Sequence, residues 1–418
     1  MAIQTNHPSQ DLAWISSQID QLAKFGQAES GVTRLAFSQA DHQARKYITE
    51  IMESLELTVY TDAIGNIIGR FTPAGVQAGV PAVVTGSHLD TVPAGGKYDG
   101  ILGLVCGLAA VRRLKACSDL THPLEVIAFA AEESSRFDIP AIGSKVMAGL
   151  LNPAALQQVK DADGITLKDE LQALGLPLEH AGAAVRSANN IKSFVELHIE
   201  QGRVLEQGRV QIGIVDKVSA PTRLKITVTG TTSHAGVAAI EDRQDALVSA
   251  AMIVLAIRNI AVEYEYQGAV ATVTVLKTYP GAINVVPGQV EMWVDIRATE
   301  HENIIEILQE IKDAVSSIAD DNDTPVAIAV TFSEKPVILD ETLNQTIETI
   351  SNQLKLTSLR LDSRAGHDAM NIAHIAPAAL VVVPCQDGIS HNSNEYVTDE
   401  DIAAGLEVLT ETLHCLAK

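Results

Sequence analysis

The chain has 418 residues, of which 46 % are hydrophobic and 4 % aromatic, enough for two cores built on aliphatic packing and too apolar for a disordered chain. A formal net charge of −22 argues against nucleic acid and anionic membrane surfaces as partners, since both select for clustered Lys and Arg. The four cysteines, Cys106, Cys117, Cys385 and Cys415, form no C-x-x-C pair, so neither a disulfide framework nor a thiolate metal site is expected and the cytoplasm is the default compartment. The first ten residues show no export leader, and no uninterrupted apolar run is long enough to span a bilayer.

In chain order, residues 12–25 and 39–55 read as amphipathic helices, the second with Ser38 as N-cap. Residues 59–71, containing D-A-I-G-N-I-I-G-R, suggest a hairpin. The apolar run 81–85 predicts a buried strand, and 101–114 has helical apolar spacing. Between them, residues 86–100 read G-S-H-L-D-T-V-P-A-G-G-K-Y-D-G, one imidazole and two carboxylates on a turn-rich loop. A strand at 124–131 ends directly in Glu132 and Glu133. Residues 138–190 carry no chemical signal. A third strand, 194–199, runs into E-Q-G, with His198 and Glu200 on one face.

From about residue 214 the texture changes. Strands at 223–229, 269–278, 289–298 and 326–332 and helices at 244–260 and 302–318 give the β-α-β-β-α-β order of a ferredoxin-like unit. It interrupts a pattern that resumes afterwards with a helix at 344–354, an apolar strand at 378–383 and a closing helix at 399–416. The expectation is an α/β catalytic domain (1–213 and 333–418), its mixed sheet flanked by helices, with an inserted α+β domain (214–332).

His88, Asp99, Glu132, Glu133, His198 and His391 all fall at the carboxyl ends of predicted strands or in the loops that follow, where α/β sheets place chemistry. A two-metal hydrolytic site needs a bridging carboxylate, further N/O ligands for each ion and a base for water, and this set contains those types. Adjacent carboxylates such as Glu132 and Glu133 repel unless a cation sits beside them. Asp90, two residues beyond His88, is the expected orienter of that imidazole, because a ligating His usually donates its second N–H to a carboxylate.

The ordered set G-S-H-L-D-T-V, Y-D-G, E-E-S-S-R-F, E-L-H-I-E-Q-G, S-H-A-G, N-V-V-P-G, D-I-R, A-G-H-D-A and G-I-S-H-N resembles the amidase, hydantoinase and carbamoylase branch of the di-metal aminoacylase and carboxypeptidase superfamily, along nearly the whole chain. The resemblance implies two divalent metal ions per subunit. His88, Asp99 and His198 would hold one, and Asp99, Glu133 and His391 the other. Glu132 would be the general base for a metal-activated bridging water, with Asp90 behind His88. Zn²⁺ suits this sulfur-free donor set, and Mn²⁺, Co²⁺ and Ni²⁺ are compatible with it. The insert would act as a lid and homodimerisation domain, supplying His234 to the oxyanion in the partner subunit's site. Asn284 and Arg297 would bind substrate, as would Gln201 and His367. The implied reaction is cleavage of the linear C–N bond of an N-carbamoyl-L-amino acid or related ureido acid such as allantoate. A dipeptidase or aminoacylase of the same superfamily, or a non-catalytic metal-binding homologue, are the alternatives. The chain departs from the family's common residues at Ala131, Ser134, Arg364 and V-A-A-I after S-H-A-G, the last two where substrate recognition is expected.

Overall fold

The computed structural model describes residues 8–418; the beginning of the segment read for a leader, 1–7, lies outside the described residues. The chain divides into two compact units, the larger running to Asp216 and taking in Ile338–Leu361 and His367–Lys418, the smaller comprising Lys217–Val337 and Asp362–Gly366.

The larger unit begins with α1 (Pro8–Ala23) and α2 (Gln39–Ser54). Ser38 caps α2 by accepting from the Asp41 amide at 3.3 Å, which satisfies one of the orphan donors of a helix start. A hairpin of β1 (Thr58–Thr61) and β2 (Ile67–Phe71) follows, its turn held by Asp62 Oδ1, which accepts from the amides of Ile64, Gly65 and Asn66. Next come β3 (Ala82–His88), α3 (Ile101–Leu114), β4 (Leu124–Phe129), β5 (Ile191–Ile199) and β6 (Ile212–Val218). The smaller unit supplies β7 (Ala220–Thr229), α4 (Ala246–Tyr264), β8 (Val270–Tyr279), β9 (Gln289–Ala298), α5 (His301–Asp321) and β10 (Val326–Ser333). The chain finishes with β11 (Val337–Ile338), α6 (Glu341–Gln353), β12 (Ser358–Ser363), β13 (Ala378–Val383) and α7 (Asp399–Ala417).

The large sheet is mixed, in the order β11-β6-β13-β5-β3-β4-β2-β1, with β12 paired to β6. Its centre, β13-β5-β3-β4, is parallel, and β3, β4 and β13 are buried along their whole length. Strands covered on both faces read as continuous apolar runs, which is why these were visible in the sequence. Leu104, Leu108 and Val111 of α3, Leu406, Leu409 and Leu413 of α7, and Ile15 and Ile19 of α1 share one core with the sheet.

In the smaller unit the sheet order is β8-β9-β7-β10, with each neighbouring pair antiparallel. With α4 and α5 packed on one face, this is the ferredoxin-like arrangement. The segment Ala246–Gln267 is long and apolar enough to cross a membrane by length and composition alone, interrupted in sequence by Arg258 and Asn259. Its inner residues Ala246, Ala250, Ile253 and Ile257 belong to the core of this unit, and Leu247, Val248, Met252, Leu255 and Val262 are exposed.

Candidate metal centre

The four parallel strands deliver the candidate ligands to one end of the sheet. His88 is the last residue of β3 and His198 the penultimate residue of β5. Glu133 follows β4, and His391 lies in the loop after β13. Asp99 precedes α3 and sits among them. Its Oδ1 lies 3.3 Å from His88 Nε2 and 3.1 Å from His198 Nε2. Its Oδ2 lies 3.2 Å from His391 Nε2, which is itself 3.3 Å from Glu133 Oε1. Nitrogen and oxygen donors about 2.0–2.1 Å from one tetrahedral ion stand roughly 3.3 Å apart, so these four contacts have the spacing of a coordination shell, and all donor atoms within each cluster lie within 4.8 Å of one another. The donor set fits two divalent ions joined by one carboxylate, His88–Asp99–His198 on one side and Asp99–Glu133–His391 on the other.

The charge balance agrees. Burial alone would raise Asp99, but hydrogen bonds with His198, His391 and His88 hold it well below the usual carboxylate range. Burial would lower His88, yet Asp99 together with the fields of Glu132 and Asp90 holds it well above an ordinary imidazole. His391 is pushed up to about 10 by Asp99 and Glu133. Protons on the imidazoles offset the carboxylates where cations otherwise would. Gly100, at φ +70°, is required by close approach: a Cβ there would stand 2.6 Å from the His88 ring.

Glu132 is pushed well above the normal carboxyl range, first by lost hydration, with His88 opposing and Glu133, Asp368 and Asp90 reinforcing the shift. A carboxyl so placed holds a proton more readily than an ordinary glutamate does. The expected role of Asp90 needs correction. His88 Nδ1 is oriented by the main-chain carbonyl of Asp90, at 2.9 Å, and not by its carboxylate. The carboxylate instead accepts from the amides of Glu132 at 3.1 Å and Glu133 at 3.0 Å. The turn after β4 passes through Ala131 at φ +53°, which leaves those two amides without sheet partners, and a buried amide must find an acceptor. Asp90 therefore fixes the backbone of Glu132 and Glu133 as well as orienting His88 through its own carbonyl.

Gln201 and His367 join the same site. Gln201, at φ +57°, donates from Nε2 to Asp99 Oδ2 at 3.0 Å and to Ser390 Oγ at 3.1 Å. His367 is buried with its ring 4.6 Å from that of His198; burial, then His198, keeps it well below the usual imidazole range and hence neutral. Two participants were not read from the sequence. Glu395 Oε1 accepts from the amides of Tyr98 at 2.8 Å and Asp99 at 3.0 Å, and Ser390 Oγ donates to Asp99 Oδ2 at 3.2 Å. Ser390 lies inside G-I-S-H-N and could have been suspected. Glu395 has no local signal that separates it from a surface acid. Beneath the site, buried Glu196 accepts from Ser87 Oγ at 2.7 Å and from the Ala369 amide at 2.8 Å.

Comparison with known proteins accords with this geometry. Residues 84–414 match the family described as Peptidase family M20/M25/M40. The chain belongs to this family. Among its relatives is an N-carbamoyl-L-amino acid amidohydrolase of Geobacillus stearothermophilus, 37 % identical over 94 % of this chain and 95 % of that one. A ureidoglycolate hydrolase of Oryza sativa subsp. japonica is 35 % identical over 94 % of this chain and 82 % of its own. Among solved structures, an amidase of the hydantoinase/carbamoylase family from Burkholderia multivorans superposes with a TM-score of 0.86 at 33 % identity, covering 100 % of this chain and 99 % of that one. This member of the M20 family is thus an amidohydrolase, a hydrolase of non-peptide C–N bonds.

The remaining candidates of this M20 chain lie in the smaller unit. Ser233–His234 pairs antiparallel with Val285–Val286, and the Ala235 amide donates to the Asn284 carbonyl at 3.0 Å, so His234 and Asn284 share one exposed corner. His234 Nδ1 accepts from the Gly236 amide at 3.1 Å. That bond assigns the ring proton to Nε2 and makes Nε2 a donor. Arg297 stands apart on β9: its Nε donates to Asp295 at 2.8 Å and one terminal nitrogen to the Arg364 carbonyl at 3.3 Å.

Proposed function

We propose that this protein hydrolyses the linear C–N bond of an N-carbamoyl-L-amino acid or a related ureido acid such as allantoate, using two divalent metal ions per subunit. The observation that carries the reading is the Asp99 carboxylate, with each oxygen aimed at a separate ligand cluster. Zinc matches the N/O donors best, and manganese, cobalt or nickel are compatible. Such ions supply Lewis acidity to a water and to the scissile carbonyl. Glu132 takes the proton of the attacking water and returns it to the leaving nitrogen, while the Asp90 carboxylate fixes the backbone that carries Glu132.

Neutral His367 and the Gln201 amide contact the ureido group. Arg297 pairs with the substrate carboxylate, a task suited to a bidentate guanidinium. His234, with its donor at Nε2, stabilises the tetrahedral oxyanion, and Asn284 at the same corner binds substrate. His234 and Asn284 serve the site of a partner subunit in a homodimer formed through the smaller unit. The exposed apolar face of α4 supports that assembly. Free thiols at all four cysteines suit the cytoplasm.

The deciding experiment is Glu132→Gln. Turnover of carbamoyl-amino acids, allantoate and ureidoglycolate should fall by about 10³-fold or more, in line with loss of an acid/base catalyst, with metal content unchanged by elemental analysis. Activity within tenfold of the parent would remove Glu132 from the base role. Hydrolysis confined to dipeptides or N-acyl amino acids would replace the ureido substrate class.

A further inference from the structure

A second group of ligand-type side chains lies away from the catalytic cluster. Cys117, Asp119 and His414 each offer one donor atom, and all three atoms lie within 4.8 Å of one another. His414 Nε2 is 3.0 Å from Asp119 Oδ1, and the Lys418 ammonium lies 3.3 Å from Asp119 Oδ2. The surroundings are built. The Cys117 amide closes the turn after α3 by donating to the Leu114 carbonyl at 2.9 Å, and the amides of Thr121 and His122 both donate to the Ala417 carbonyl, at 2.7 and 3.1 Å. The loop is therefore tied to the end of α7, and His414 is buried while Asp119 is exposed.

We infer that Cys117, Asp119 and His414 form a separate site for a divalent cation of the zinc class, with solvent as the fourth donor. One thiolate, one imidazole and one carboxylate are donors that zinc accepts together. Around such an ion they stand roughly 3.3–3.6 Å apart, so binding asks the side chains to draw in by about an ångström and Lys418 to leave Asp119. The thiol proton is released to solvent as the ion binds. Both helices leave the catalytic end, α3 directly after Asp99 and Gly100 and α7 shortly after His391 and Glu395. The new site closes their far ends, roughly 20 Å along α3 at 1.5 Å per residue.

Sulfur makes the site separately visible. The catalytic ligands are all nitrogen and oxygen, so a thiolate-to-metal charge-transfer band cannot come from them. The metal-loaded enzyme is titrated with cadmium(II) and, in parallel, cobalt(II), following ultraviolet absorbance. The parent should show a thiolate band that saturates at one equivalent per chain beyond the catalytic complement. Cys117→Ser should lose the band, Asp119→Asn and His414→Gln should need higher metal to reach it, and Cys415→Ser should keep it. The proposal is overturned if the parent shows no band, if the band survives in Cys117→Ser, or if Cys415→Ser removes it. Asp119 is exposed, so Asp119→Asn tests the site without disturbing the core. An unchanged titration in that variant would also count against the three-ligand site.

Discussion

His391 is the residue whose protonation most clearly reports the state of the centre. In the ion-free protein its imidazole is held up to about 10 by Asp99 and Glu133, against about 6.5 in the unfolded chain. A raised pKa means that the folded state binds the proton more tightly. The associated stability is fully present below pH about 6.5 and is lost as pH rises through about 10. The chelated enzyme should therefore show a thermal midpoint that falls across that window, and His391→Asn should flatten the fall. A midpoint equally steep in the variant would assign the loss to other groups. With ions bound, the cation replaces the proton and the dependence should shrink. At this scale the sequence was readable where a residue type announces itself: the donor atoms of His88, Asp99, Glu133, His198 and His391 are brought together in two groups that share Asp99. Direction was not readable. That the carboxylate of Asp90 turns to the amides of Glu132 and Glu133 follows from the backbone at Ala131, which no residue identity reveals.

Between elements, the centre depends on two loops that brace each other. The Asp99 loop hands the amides of Tyr98 and Asp99 to Glu395, and Gly96 leaves room for that carboxyl, since a Cβ there would stand 2.2 Å from it. Glu395→Ala should leave two buried donors without their acceptor, at a cost of about 3 kcal/mol. A urea titration would measure it, and metal affinity should fall while kcat of the fully loaded enzyme changes less than metal affinity does. Unchanged stability would show that water replaces the carboxyl without loss. The parallel strands were legible because burial on both faces writes an apolar run. By contrast, β12 carries only half-buried and exposed positions until its last residue, Ser363, and β6 carries Asp216 and Lys217 just before its last residue, Val218, so neither announces a strand in the large sheet. The Glu395 contact joins residues 297 positions apart, beyond the reach of any local pattern.

Over the whole molecule, the change of texture near residue 214 was readable because a four-stranded antiparallel unit with two helices buries its own core. The proposed assembly would leave a weaker trace, the outer face of α4. Leu255 is 62 % exposed, so Leu255→Glu should cost the fold little. If that face joins two subunits, the variant should elute as a monomer in light-scattering chromatography. It should also lose most turnover with its metal content intact, because His234 would no longer reach a partner. A fully active monomer would end the shared-site reading.

The Asp99 carboxylate also dates the centre within synthesis of the chain. It touches Ser390, 291 positions later, and the second ligand cluster closes only when His391 arrives. A ribosome must deliver the 291 positions between Asp99 and Ser390, the smaller unit included, before both ligand clusters can form. If the proposed ions bind, an unfinished chain would offer them only a partial ligand set, so their capture would wait for His391.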